Sequence, residues 1–527
     1  MAAGDDLNRK WWTLGVVSVA TFMLLLDITV VNTALPAIQE DLGASFTELQ
    51  WVVDAYTLSL AAFVLTSGSL ADRIGRRRIF AIGLGIFTLS SLVAGLAGDP
   101  TMLNVARAVQ GIGACTMFAV SLALVAQEFP AGRERGQAMG IYGATIGAAV
   151  AVGPLVGGAL VDAIGWESIF FLNVPIGLVA LGVTFAKVAE SRDPNATRLD
   201  WWGQAVFSAS LLMLVLALLR GNDEGWGSTQ ILLLLAGAAV AMAAFVAVEL
   251  RVREPMLPLG LFRGHSFTGV QVAAFAISSA MFAMFLYLTL YLQNYLDLTP
   301  FEAGIRYLPI TVTSFFAAAF TGAVLSSKFS PRALLTVGLL LVAAGLFLMA
   351  GIDAADDWTT LLIGLFVSGI GIGMLNPVIA DVAVSVVPNE QSGMASGIND
   401  TFRQVGIAVG IAAWGAIFIA RGESEITSAL AGTPAVEGER PRQLIEAAST
   451  GNLDVAVAQV PPGFRDQVSA ATQDAFLSGL NEILVIAGLV AVAGAVITGA
   501  LVRIRGVEQT VDDATEAAEG ETEPASA

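Results

Sequence analysis

Fourteen largely apolar stretches follow one another along this chain. They lie near 12–36, 51–71, 79–98, 103–127, 137–161, 168–188, 200–220, 229–249, 267–292, 303–326, 333–351, 358–382, 400–420 and 477–502. About 20 such residues are the length of one membrane crossing. Lipid leaves no unpaired backbone group satisfied, so closely spaced spans are expected to fold as a helical bundle. The short alternating segments of an outer-membrane barrel are absent. The expected fold class is therefore an all-α polytopic membrane protein. Charged residues make up only 13% of the chain, against about 25% in soluble proteins.

The same scarcity of polar residues excludes much chemistry. Cys115 and His265 are the single cysteine and histidine, so no intrachain disulfide forms and a His/Cys metal site is excluded. The lysines are Lys10, Lys187 and Lys328, and none stands in a phosphate-binding G-x-x-x-x-G-K-[ST] run. Direct drive by ATP is not expected, nor is any cofactor, metal or nucleic-acid partner. A membrane-bound enzyme would need a nucleophile or metal cluster at membrane depth. The expectation is a chain that is not an enzyme.

Basic residues orient the spans. With the amino terminus in the cytoplasm, cytoplasmic segments hold eighteen of the 26 Lys and Arg residues. The short outer loops hold only Arg220 and Arg306. An even span count puts both termini inside. The first stretch is too long for a signal peptide and lacks a cleavage site, so it reads as a retained span. The 421–476 segment falls outside, and Arg442 to Ala456 within it has the pattern of a short amphipathic helix. Beyond Arg505 the chain carries seven acids and no Lys or Arg, the composition of a disordered cytoplasmic tail.

Two charges fall inside spans where charge is costly. Asp27 lies in L-D-I-T-V-V-N-T-A-L-P (Leu26 to Pro36), and Arg107 in L-N-V-A-R-A-V-Q-G-I-G-A (Leu103 to Ala114). At about 1.5 Å per residue both sit in the outer half of the bilayer, within several Å in depth. Unpaired buried charges are improbable, so the two are expected to meet directly or through water. Gln110 shares the Arg107 face and joins them. Arg107 then holds Asp27 ionised, and a proton releases it. The alternative is a static ion pair that only orients helices. Asp54, beside Tyr56 near the outer start of the second span, is a further candidate for proton coupling, or an interfacial group in water.

At the inner end of the second span stands G-S-L-A-D-R-I-G-R-R-R, Gly68 to Arg78. Its arginines anchor topology, but Asp72 among them exceeds that need. Together with the Leu26–Pro36 run, this motif resembles the major facilitator superfamily, and in particular its fourteen-helix drug:proton antiporter branch (EmrB/QacA type). Gly140, Gly153, Pro154, Gly157 and Gly158 match that branch's fifth-helix antiporter motif, with Ala149 where glycine is usual. D-W-W-G from Asp200 resembles a seventh-helix motif of the branch. G-A-V-L-S-S-K-F-S-P-R from Gly322 looks like a decayed copy of the Gly68 motif, in keeping with an internal repeat.

The resemblance implies a major facilitator fold. Residues 1–197 and 266–505 would form two six-helix bundles, with an inserted helix pair at 198–265 and the acidic tail at 506–527. It implies alternating access in the bacterial cytoplasmic membrane. Small amphipathic or cationic drugs would leave in exchange for protons, by a monomer that needs only the proton gradient and its lipid surroundings. A dedicated exporter of one metabolite, antibiotic, siderophore or lipid is the alternative. Gly68, Asp72, Arg73, Gly75 and Arg76 would form a cytoplasmic gate, with Asp72 docked at the amino end of the thirteenth span near Gly393–Gly406. The substrate path is marked less clearly by Asn32, Tyr56, Gln110, Phe282, Tyr287, Asn376 and Gln404. The aromatic and Met stripe of span nine also reads as lipid-facing or core, and Asn376–Pro377 reads as a break in span twelve.

Overall fold

The computed structural model of the protein describes residues 2–129, 133–192, 200–252, 255, 257–387, 392–431, 433 and 440–503. Among these there is no strand. The first eight helices are α1 (Ala2–Leu42), α2 (Phe46–Ile74), α3 (Arg76–Gly95), α4 (Pro100–Glu128), α5 (Arg133–Ala163), α6 (Glu167–Lys187), α7 (Trp201–Glu224) and α8 (Thr229–Glu249). Then come α9 (His265–Ile277), α10 (Met284–Leu290), α11 (Pro300–Arg306), α12 (Leu308–Phe320), α13 (Ser326–Lys328), α14 (Pro331–Met349) and α15 (Leu362–Ser385). The last are α16 (Ser392–Ala429), α17 (Arg440–Ser449), α18 (Leu453–Ala458) and α19 (Arg465–Leu501).

Polar caps fix many helix starts, because first-turn amides have no partner within the helix. Ser45 with Glu48, and Thr299 with Glu302, form reciprocal capping boxes on α2 and α11. Asp99, Asp200, Ser228 and Ser330 cap α4, α7, α8 and α14. The D-W-W-G motif thus begins a helix: Asp200 accepts from the Gly203 amide at 2.8 Å.

Twelve helical stretches among the described residues are long and apolar enough to cross a membrane. α2 and α5, on which the expected spans 51–71 and 137–161 fall, run beside them as helices of 29 and 31 residues. Three local expectations differ from the structure. Span nine is not one plain helix: π-helical turns at Ser278–Phe282 and Tyr291–Tyr295 interrupt it. Pro377 does not break span twelve; α15 runs through it, as membrane helices tolerate when neighbours meet the freed backbone groups. The amphipathic stretch from Arg442 divides into α17 and α18, because Gly451 turns at φ +65° between them.

α1 packs on α4, α5 and α6, and α3 on α4 and α6. Farther along, α14 packs on α15 and α19, and α16 on α9 and α19. The two sets meet along α2–α16 and along α5 with α11 and α12. α7 packs on α8 and touches α16 and α2. α8 turns Leu233 and Val240 outward, 66% and 68% exposed, as a lipid-facing helix does. Glycines set the closest approach between the sets. A Cβ on Gly304 would lie 2.5 Å from the Pro154 carbonyl oxygen, and one on Gly158 would lie 2.8 Å from Phe301 Cα. Small residues on both sides let these backbones touch.

Candidate functional site: a buried charge network

α1, α4 and α6 bring four polar side chains together inside the first set of helices. Asp27, Arg107, Gln110 and Asn173 are all at most 4% exposed. Arg107 Nη1 donates to Asp27 Oδ2 at 2.5 Å. Gln110 Nε2 and Asn173 Nδ2 donate to Asp27 Oδ1 at 2.9 and 2.8 Å. The carboxylate therefore has three donors, one of them cationic.

The guanidinium is equally well held. Its Nε donates to the Val52 carbonyl at 3.0 Å, and Nη1 also reaches Gln110 Oε1 at 2.8 Å. It lies over the Tyr56 ring, 4.3 Å from the centroid, a favourable place for a desolvated cation. Asn173 also reaches Ser91 Oγ at 3.0 Å, and Ser91 donates to the Phe170 carbonyl. A buried pair so supplied with hydrogen bonds meets the condition under which burial of charge is tolerated.

The structure thus brings Asp27, Arg107 and Gln110 into contact. Tyr56 stands beneath Arg107 as a fully buried wall. Asp54 is apart from them: it is fully buried, and neither carboxylate oxygen has a hydrogen-bond partner. This differs from the reading of Asp54 as a group in interfacial water. Tyr287 is not free to line a path, because its hydroxyl donates to the Ile411 carbonyl at 2.5 Å and accepts from Gln50 Nε2 at 3.1 Å.

Other expected path residues are dispersed. Asn32 is half-buried, and its amide donates to the Ile28 carbonyl of its own helix. Phe282 is half-buried, while Met281, Met284 and Tyr291 are core. Asn376 accepts from Arg403 Nη1 at 3.0 Å. Arg403 also donates to Asn399, which donates to Gln271. Gln404 is buried, with its Oε1 unpartnered.

The Gly68–Arg78 turn docks on the segment that follows α6. Gly75 has φ +127°, and a Cβ there would lie 2.5 Å from Glu190 Oε1, so glycine is required. Glu190 accepts from the Arg77 amide and pairs with Arg78 at 3.6 Å. The Arg76 amide donates to the Ser191 carbonyl. Gly68 is half-buried and Arg73 exposed. The side chain of Asp72, those of the first residues of α16 where it is expected to dock, and the surroundings of Gly140 lie outside the described residues. Gly153 and Gly157 bring α5 against Thr29 and Thr33 of α1. Among the described residues no group of three His, Cys, Asp or Glu stands ready for a metal.

Sequence reasoning missed Asn173. Its signal was a lone amide in the apolar run F-F-L-N-V-P-I-G-L from Phe170.

A polytopic helical bundle with a buried ion pair is an arrangement that fits a secondary transporter. A sequence profile of the Major Facilitator Superfamily matches residues 17–411, and the chain belongs to that superfamily. It is 33% identical to the tetracenomycin C resistance and export protein of Streptomyces glaucescens, over 93% of this chain and 91% of that one. It is 36% identical to multidrug resistance protein Stp of Mycobacterium tuberculosis, over 79% and 77%. It is 38% identical to puromycin resistance protein pur8 of Streptomyces alboniger, over 77% and 81%.

Proposed function

We propose that the protein exports small amphipathic or cationic drugs across the bacterial cytoplasmic membrane in exchange for protons. The observation that carries this reading is the Asp27–Arg107 pair. An ionisable pair at membrane depth is costly and marks proton or ion handling. Asp27 takes a proton when the outer side is open, which loosens its hold on Arg107, and yields it inside. The family and the resistance proteins it resembles support the cargo class.

In this reading both termini are cytoplasmic, and fourteen crossings comprise two six-helix bundles with α7 and α8 inserted between them. The bundles rock about the seams along α2–α16 and α5–α11, giving alternating access. The basic residues near Gly68–Arg78 support that orientation. Gly68, Asp72, Arg73, Gly75 and Arg76 act in the cytoplasmic gate. Of the motif residues Gly140, Gly153, Pro154, Gly157 and Gly158, Pro154 and Gly158 meet the other half and help seal it against leak, while Gly153 and Gly157 seat α5 on α1. The proton gradient alone drives the cycle, with about 2.3 kcal/mol per charge per 100 mV from the potential. The carrier works as a monomer in lipid.

A dedicated exporter of one antibiotic is the second reading. It is favoured by relatives whose names specify a single compound, tetracenomycin C or puromycin. Efflux from energised inside-out vesicles tests both, using lipophilic cations beside neutral antibiotics. Uptake of several unrelated compounds, abolished by a protonophore, supports the broad exporter. Uptake of one compound supports the dedicated one. Uptake that survives the protonophore contradicts proton exchange.

A further inference from the structure

Asp54 stands where the two sets of helices close on each other. Gln50, one turn earlier on the same face of α2, reaches across to α16. Its Nε2 donates to the Ile411 carbonyl at 3.2 Å and to the Tyr287 hydroxyl. A Cβ on Gly415 would lie 3.0 Å from the Tyr287 oxygen, so α16 offers only backbone here. The same end of the seam is shut elsewhere. Gln293 donates to the Thr33 carbonyl at 3.0 Å, and Phe46 stacks on Phe418 at 6.2 Å.

Beneath this clamp Asp54 is fully buried, and neither carboxylate oxygen meets a hydrogen-bond donor. Each neighbouring donor is committed elsewhere: Gln50 to Tyr287 and Ile411, Tyr287 to Ile411, and Thr57 Oγ1 to the Val53 carbonyl at 3.1 Å. Arg107 of α4 is committed to Asp27 of α1, and Arg403 of α16 to Asn376 and Asn399, so among the described residues no cation is bonded to Asp54. An ionised carboxylate with no donor and no countercharge is among the costliest groups to bury. A neutral carboxyl in the same place is far less costly.

We propose that Asp54 is a proton lock on the outer seam: α2 closes on α16 only after this carboxylate has taken a proton from the external medium. This rests on the proton-exchange reading and its orientation. The carboxylate gains one proton from outside while the seam is parted, and returns it outside when the seam next parts. It is distinct from the proton carried by Asp27. Protonation favours the closed seam, so external acid favours closure and external alkali favours the parted state. The lock would deter the emptied carrier from closing before protons are available.

The test uses the full chain in liposomes, with nitroxides on cysteines placed at Thr101 of α4 and Gln473 of α19. Both positions are exposed and belong to opposite sets of helices, while Cys115 is buried. Distances between the labels are measured from pH 5 to pH 8. The wild type should shift from closed to parted as pH rises. Asp54→Asn should stay closed throughout, and Asp54→Glu should regain the pH response. Asp27→Asn should keep the pH response while losing drug-proton exchange. A wild type whose distances ignore pH overturns the lock, as does Asp54→Asn with the wild-type response. If Asp27→Asn alone loses the response, the lock is overturned and the exchange reading stands. If Asp27→Asn exchanges normally while Asp54→Asn stays closed, the exchange assignment fails and the lock stands.

Discussion

Asn173 Nδ2 lies 2.8 Å from Asp27 Oδ1, so α6 as well as α4 holds the carboxylate of α1. Hydrogen bonds to a charged form favour that form. Asn173 therefore helps hold the Asp27 carboxylate in place beside Arg107. Asn173→Leu removes a donor worth about 1.5–3 kcal/mol to a charged acceptor. Drug-proton exchange should fall by about tenfold or more with the protein still folded. Exchange measured in liposomes checks this; an undiminished rate would leave Asn173 with a packing role only.

Arg107 has a different expected signature. Arg107→Met leaves Asp27 without its cation, and breaking a buried pair costs about 3–5 kcal/mol. The melting temperature in detergent should fall and transport should cease. Asp27→Asn/Arg107→Met removes both charges and should regain much of that stability while remaining inactive. Thermal unfolding beside a transport assay separates stability from coupling.

The Gly158–Pro300 and Gly304–Pro154 contacts predict a steric block. Gly158→Val places a branched side chain against the Pro300 carbonyl and Phe301 Cα. The halves should then fail to close at this end, with transport lost and expression retained. Gly182→Val is the control, since nothing lies within 4 Å of a Cβ there. Equal transport by the two variants would contradict the packing account.

Arg403 predicts a stability effect in the second set of helices. Asn376→Leu removes the acceptor 3.0 Å from its Nη1. Arg403 is half-buried, so its orphaned donor costs about 1 kcal/mol, the low end of the buried range, which a thermal unfolding curve would register.

Much of this architecture was legible in the sequence, for a physical reason. Span length and the cost of charge in lipid act locally, so apolar runs, Asp27 and Arg107 stand out without tertiary information. Their meeting followed from depth along two helices. Asn173 was not legible in the same way, since a single amide in an apolar span also serves as ordinary packing glue. Nor was the fate of Asp54. Its sequence neighbours suggest an interface, and only the packing of helices distant in sequence around α2 buries it. The π turns around Met284 and the continuity of α15 through Pro377 likewise depend on neighbouring helices. Tyr287 looked like a path residue because aromatic composition does not reveal that its hydroxyl is tied to Ile411.

Proton release on addition of cargo tests the central claim most directly. Purified protein in liposomes is given lipophilic cations and neutral antibiotics, with wild type beside Asp27→Asn and an interior pH dye as readout. The account predicts a cargo-evoked proton flux in the wild type that vanishes in Asp27→Asn. An undiminished flux in Asp27→Asn would contradict it and move proton exchange away from the Asp27–Arg107 pair.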